Sequence, residues 1–76
     1  MTFSKRLRAV RLKRGMTQQA LADIVGLALR SYQCYEQGTR EPSLTMLVSL
    51  SDALKVPTDY LLCRDLSVVE SFDGYE

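Results

Sequence analysis

The sequence predicts an all-α fold, a compact bundle of five short helices, and three observations carry that prediction. Glycine at 15, 26, 38 and 74 and proline at 42 and 57 cut the chain into segments of about 8 to 14 residues, the spacing of short helices. Within those segments apolar residues recur three and four positions apart, the period of a helix with one buried face. No alternation of period two is long enough for a strand, except at Leu66 to Phe72, where Leu66, Val68 and Val69 sit among polar residues.

The first helix is expected over about residues 3 to 14. Phe3, Leu7 and Val10 form its apolar stripe, Arg14 falls on the same line, Leu12 points away, and Gly15 stops it. Thr17 can cap a second helix whose apolar face is Leu21, Ile24 and Val25, and Gly26 ends it. A third segment runs from about Ala28 to Gln37 and stops at Gly38. Ser43 caps the fourth, in which Leu44, Leu47, Val48 and Leu54 make the buried stripe and Leu50 widens it, ending near Lys55. Thr58 is the expected cap of a last short turn, Tyr60-Leu61-Leu62, with Asp59 placed against the positive end of the helix.

With 76 residues the chain holds one small core at most, too little to wall a deep substrate cleft, and it can lean on a partner subunit. Cys34 and Cys63 stand far apart in a chain with no histidine, which leaves no zinc site and no Cys/His nucleophile. Both read as reduced thiols. Asp23, Glu36, Glu41, Asp52 and Asp59 are scattered singly, and there is no Gly-rich phosphate loop. The expectation is a protein that is not an enzyme, takes no cofactor or metal and shows no small-molecule ligand site. Met1 to Arg14 has no apolar run of the signal-peptide kind, and the longest apolar or glycine run, Ile24 to Leu29, is far short of a membrane span. A cytoplasmic protein without membrane contact is expected.

The informative spacing lies between Gln18 and Gln37: Gln18-x-x-Leu21-Ala22-x-x-Val25-Gly26-Leu27, followed by Tyr32 and Tyr35. Two helices crossing at about 90 to 120° need a small residue at their closest approach and a turn residue that tolerates positive φ. Ala22 and Gly26 meet those needs, while Leu21, Val25, Leu27, Tyr32 and Tyr35 close the angle from inside. This is a helix-turn-helix pattern, and the segment resembles the Xre/Cro family of phage-type repressors. The likeness extends through Leu7-x-x-Val10-Arg11, Gly15-Met16-Thr17-Gln18, Tyr35-Glu36-Gln37-Gly38-Thr39-Arg40-Glu41-Pro42-Ser43 and Val56-Pro57-Thr58-Asp59-Tyr60-Leu61-Leu62, so it covers residues 3 to 63. It implies a DNA-binding domain over 1–63 of the phage-repressor type, with the helix-turn-helix formed by helices 2 and 3, and an acidic tail over 64–76, disordered or dimer-forming.

A recognition helix needs one packed face and one free face. At 100° per residue, Ala28, Tyr32 and Tyr35 share one side of the third helix, and Arg30, Gln33, Cys34 and Gln37 share the other. Arg pairs bidentately with guanine and Gln with adenine, while an apolar side chain such as Leu29 touches a thymine methyl. Ala28, Leu29, Arg30, Gln33 and Cys34 are therefore the expected base-contacting residues. Gln18 matches the family's phosphate-contacting glutamine, Thr39 and Arg40 match its loop, and Ser31 and Gln37 complete the expected phosphate set. The resemblance also implies that Arg11 and Glu36 form a partly buried ion pair joining the first and third helices. Three positions depart from the family pattern. Ala28 stands where Ser or Thr usually caps the recognition helix, Cys34 replaces a longer polar residue, and Lys55 replaces a terminal glycine, which would let the fourth helix run on toward Pro57.

The family usually binds palindromic DNA as a dimer, and here Leu61, Leu62, Cys63 and Leu66 are the expected homodimer contacts, extended by Val68, Val69 and Phe72. The expected function is sequence-specific binding of double-stranded DNA by a small transcriptional repressor. The alternative is an antitoxin whose acidic tail, Asp65 to Glu76, engages a protein partner while the helices bind DNA. The formal charge of +1 hides an asymmetry: residues 1–63 carry +4 and residues 64–76 carry −3. Near-neutrality overall therefore does not exclude a polyanionic partner.

Overall fold

A computed structural model describes residues 2–63, and these form five helices: α1 (Phe3–Lys13), α2 (Gln18–Val25), α3 (Leu29–Gln37), α4 (Leu44–Leu54) and α5 (Thr58–Leu61). Three of the five begin at a hydroxyl cap. Thr2 accepts from the Lys5 amide at 3.3 Å, Thr17 from Ala20 at 3.0 Å, and Ser43 from Met46 at 3.1 Å. Each satisfies a backbone donor that the first helical turn leaves without a partner. Gly26 closes α2 in the left-handed conformation, φ 78°, which costs an L side chain about 1 to 2 kcal/mol. The turn then redirects the chain within three residues into α3.

One side chain set from each helix meets in the centre. Leu7 and Val10 come from α1, Leu21 and Ala22 from α2, Tyr32 and Tyr35 from α3, Leu47, Leu50 and Leu54 from α4, and Leu61 from α5. The helix-turn-helix pair α2 and α3 sits between α1, which packs on α3, and α4, which packs on α2. α5 closes the bundle against α1 and α4. Full burial of a leucine is worth about 1.5 to 3 kcal/mol, so these few residues supply most of the apolar drive. Tyr32 and Tyr35 meet edge to face, centroids 6.4 Å apart, and fix one side of α3 to the core.

Several expected positions move. Ile24 is 60% exposed, because the buried face of α2 is Leu21, Ala22 and Val25, and Ile24 lies outside that arc. Val48 and Leu44 are also exposed. The packed stripe of α4 is Leu47, Leu50, Ser51 and Leu54, in which the small Ser51 occupies a buried place that hydropathy alone assigns to a larger apolar neighbour. Its hydroxyl donates to the Leu47 carbonyl at 2.7 Å and pairs with the Thr58 hydroxyl at 2.9 Å. Thr58 is thus inside α5, whose N-cap is Pro57 without a side-chain cap. Ala28 is exposed as the N-cap of α3 rather than packed beside Tyr32 and Tyr35. Leu61 is fully buried in the chain's own core and has no surface left for a second copy. Leu66, the strand-like stretch to Phe72 and the acidic tail lie outside the described residues.

α4 does not run on toward Pro57. It ends at Leu54, and Lys55 itself takes the left-handed conformation, φ 58°. The exposed carbonyls at that end are covered by Arg14, whose Nε donates to Leu54 O at 2.8 Å and whose Nη2 donates to Lys55 O at 3.3 Å. Lys55→Gly is expected to raise the unfolding free energy by about 0.5 to 1 kcal/mol, while Gly26→Ala lowers it by about 1 kcal/mol. Urea denaturation followed by circular dichroism checks both signs.

Candidate nucleic-acid interface

The free side of α3 is opposite Tyr32 and Tyr35. Leu29, Arg30, Gln33, Cys34 and Gln37 line a shallow open concavity there, with Arg30 and Gln37 exposed and Leu29, Gln33 and Cys34 half-buried. Within it the lining residues fall in two adjacent rows, Leu29-Gln33-Gln37 and Arg30-Cys34, whose members are about one helical turn apart. The short side chain of Cys34 leaves the second row low. Ala28 is exposed at the start of the helix and Ser31 is half-buried on its flank. Beyond Gly38, Thr39 and Arg40 are exposed, and the Thr39 hydroxyl donates to the Cys34 carbonyl at 3.4 Å. Arg40 lies beside Thr2, Ser4 and Gly38 in a second depression at the start of α1.

Beneath this face lies a buried polar cluster. Arg11 donates from Nε to Glu36 Oε2 at 2.6 Å and from Nη2 to Oε1 at 3.1 Å, and the two side chains are 8% and 4% exposed. Its remaining Nη1 donates to the Met16 carbonyl at 2.7 Å, which ties down the turn after α1. The Tyr32 hydroxyl donates to Glu36 Oε2, and Gln18 Nε2 donates to Oε1 at 3.0 Å. Burial pushes the Glu36 carboxyl up, but the hydrogen bonds from Arg11, Tyr32 and Gln18 and the Arg11 charge outweigh it and hold the group below its usual range. The hydrogen bond with Glu36 raises Arg11 despite its desolvation. Burial first, and then the adjoining carboxylate, push the Tyr32 phenol well up.

Arg11 and Glu36 therefore meet as a bidentate pair between α1 and α3. The structure also brings together residues that sequence reasoning kept apart: Gln18 Oε1 accepts from Gln33 Nε2 at 3.1 Å. Gln18 thus stands between the ion pair and the free face of α3. The Tyr32 to Glu36 spacing of four positions was a signal available in the chain, since such residues share a helix face. The Gln18 contacts cross between helices and leave no such periodic trace. Leu62 is exposed and shares a depression with Phe3, Glu41, Pro42 and Leu47, and Cys63 is half-buried. Among the described residues no three His, Cys, Asp or Glu side chains converge on a metal position, and no helix is long and apolar enough to cross a membrane.

A two-helix corner with one face locked in a core and the other lined by long polar side chains defines a helix-turn-helix domain. The chain belongs to the helix-turn-helix family, whose model matches residues 7–61. It is 42% identical over 60 residues to the HTH-type transcriptional regulator YqaE of Bacillus subtilis (strain 168), covering 79% of this chain and 52% of that protein. It is 43% identical over 60 residues to the SPbeta prophage-derived HTH-type transcriptional regulator YonR of the same strain, covering 79% and 56%. The chain spans about half the length of these curated relatives. Its fold superposes on the P22 c2 repressor, in the crystal structure of that protein with a synthetic operator, with a TM-score of 0.80 and 35% identity, covering 86% of this chain and 98% of that one.

Removing one member of a buried ion pair leaves the other charge uncompensated. Glu36→Gln is expected to destabilise the domain by about 3 kcal/mol. Because the folded carboxyl is held below its ordinary value, its stabilisation is complete above pH of about 4.3 and is lost as pH falls through the folded value. Wild-type stability should therefore drop on acidification below that point, and Glu36→Gln should flatten this limb. Urea midpoints measured between pH 7 and pH 3 test both expectations.

Proposed function

We propose that this chain is a sequence-specific double-stranded DNA-binding domain of a transcriptional repressor, and that α3 reads the major groove. The observation that carries the reading is the free face of α3, where guanidinium, amide and apolar groups project from a helix whose other side is locked in the core. An α-helix is about 10 to 12 Å across with its side chains, which suits a groove about 12 Å wide. Arg30 and Gln33 supply hydrogen bonds to base edges, and Ala28, Leu29 and Cys34 supply close apolar contacts. Ser31, Gln37, Thr39, Arg40 and the start of α2 at Gln18 border the same face and face the phosphates. The likeness to a repressor solved with its operator and to two transcriptional regulators supports this assignment.

The role is one of binding rather than catalysis, exercised in the cytoplasm and without a cofactor or small ligand. One recognition helix buries too little surface for useful specificity, so the chain acts as a homodimer on two half-sites about 34 Å apart. Leu62 is exposed and Cys63 half-buried, and they provide the described part of that contact. Residues 1–63 form the DNA-binding unit, and the charge of −3 on residues 64–76 moderates non-specific attraction to DNA.

Selection of bound sequences from a random duplex pool tests the proposal. Wild type should recover a palindrome, and raising salt should weaken binding steeply. Arg30→Ala should relax preference at one base pair per half-site by about 1 to 3 kcal/mol, whereas Arg40→Ala should weaken all sequences alike and lower the salt slope by about one. Absence of any enriched sequence would overturn the reading.

A further inference from the structure

The surface where α1 meets α5 holds a depression of about 240 Å³ lined by Val10, Lys13, Arg14, Val56, Pro57 and Tyr60. Its apolar side is formed by Val10, Val56, Pro57 and the Tyr60 ring, which is 46% exposed, and no acid lines it. An aromatic ring fits such a space, since an engineered apolar cavity of about 150 Å³ binds benzene. The two remaining side chains are cations, and neither is in an ion pair within the described residues. Arg14 is held there by its bonds to the carbonyls of Leu54 and Lys55, which leave its charge unneutralised. Arg6 adds a third positive group, its guanidinium 4.2 Å from the centre of the Tyr60 ring. The depression therefore suits an aromatic residue flanked by carboxylates. The one beside Leu62 carries Glu41 and repels such a segment.

The chain itself supplies one, because Phe72 stands between Glu70 and Asp73. We propose that this depression is the docking surface of the chain's own acidic segment, with the Phe72 ring seated among Val10, Val56 and Tyr60 and the carboxylates of Glu70 and Asp73 set against Lys13 and Arg14. The tether fits. The Cys63 amide donates to the Tyr60 carbonyl at 3.0 Å, so the segment leaves the described fold beside the depression. Phe72 is nine positions further on, a reach of about 30 Å when extended. A short tether gives an effective concentration in the millimolar range, so a contact too weak to join separate chains is populated within one. That selects the chain's own segment over the segment of a second copy. Docked, the two acids mask cations of α1 that would otherwise draw any polyanion, whereas an undirected charge of the same size would act without regard to Phe72. The contact needs no DNA, so its failure leaves the reading of α3 intact.

Carbodiimide coupling, which joins amines to carboxylates in contact, tests the seat in the full chain. An equal mixture of unlabelled and isotope-labelled chain is coupled and digested, and the products are weighed. The expected product joins Lys13 to Glu70 or Asp73 within chains of one isotope. Phe72→Ala changes no charge, yet it should lower this coupling about tenfold through the loss of ring burial. The same variant should elute from a heparin column at higher salt than wild type, because Lys13 and Arg14 are then unmasked. Phe72→Leu keeps an apolar side chain but removes the ring, so the methyl resonances of Val10 and Val56 should shift while those of Leu21 stay in place. Products of mixed isotope would put the segment on a second copy, and coupling at Lys5 as strong as at Lys13 would show a diffuse attraction. Coupling, elution or Val10 and Val56 resonances that ignore the Phe72 variants would show that the ring is not seated there. Each of these outcomes overturns the proposal.

Discussion

The carboxylate of Glu36 is the constraint on which the rest of the domain depends. Desolvating a carboxylate costs several kcal/mol, and this one is nearly enclosed, 4% exposed. It is tolerated because Arg11, Tyr32 and Gln18 direct four hydrogen bonds at its two oxygens. Those donors belong to α1, α3 and α2 in turn, so the charge can be satisfied only when three helices hold their mutual positions. A hydrophobic core of this size is non-directional and would allow the helices to slide. The ion pair adds the direction that the leucines lack.

Elsewhere the chain secures its helix ends with local devices suited to so small a domain. Thr2, Thr17 and Ser43 cap three helices, and the end of α4 is covered by Arg14 from a different helix. That long-range contact accompanies a lysine in the left-handed conformation where glycine would be unstrained. Arg6 makes a related link, stacking on the Tyr60 ring at 4.2 Å and donating to the Tyr60 carbonyl at 3.1 Å. Arg6 of α1 and Arg14 at its C-cap thus tie the helix to the C-terminal half, which compensates for an α5 of a single turn.

Much of the fold was legible because helix periodicity and turn chemistry are local. Leu7, Val10, Leu21, Leu47 and Leu54 are buried as their spacing requires, and Gly26 and Gly38 both end helices in the left-handed conformation. Periodicity shows that a helix has a buried face but not how wide the arc is, since the partner surface sets that width. Ile24 and Val48 sit just outside their arcs for this reason, and Ser51 sits inside one because two hydroxyl bonds make it compatible with burial. Of the candidate interface, the opposition of Arg30, Gln33 and Cys34 to Tyr32 and Tyr35 followed from angle alone. The contact between Gln18 and Gln33 did not, because it depends on the distance between two helices, which no single-helix pattern encodes.

This division shapes how such a domain can change. Arg30, Gln37, Thr39 and Arg40 are exposed, and surface substitutions of that kind usually alter stability by less than about 0.5 kcal/mol. α3 is held from its middle and end by Tyr32, Tyr35 and Glu36, and its first turn has no side-chain cap at Ala28. Most of the outer face can therefore vary without disturbing the fold. Gln33 is different, since its amide is bonded through Gln18 to the buried charge. A substitution there alters the outer face and leaves an acceptor on Gln18 without its partner, so the outer face and the buried polar cluster are coupled at that position.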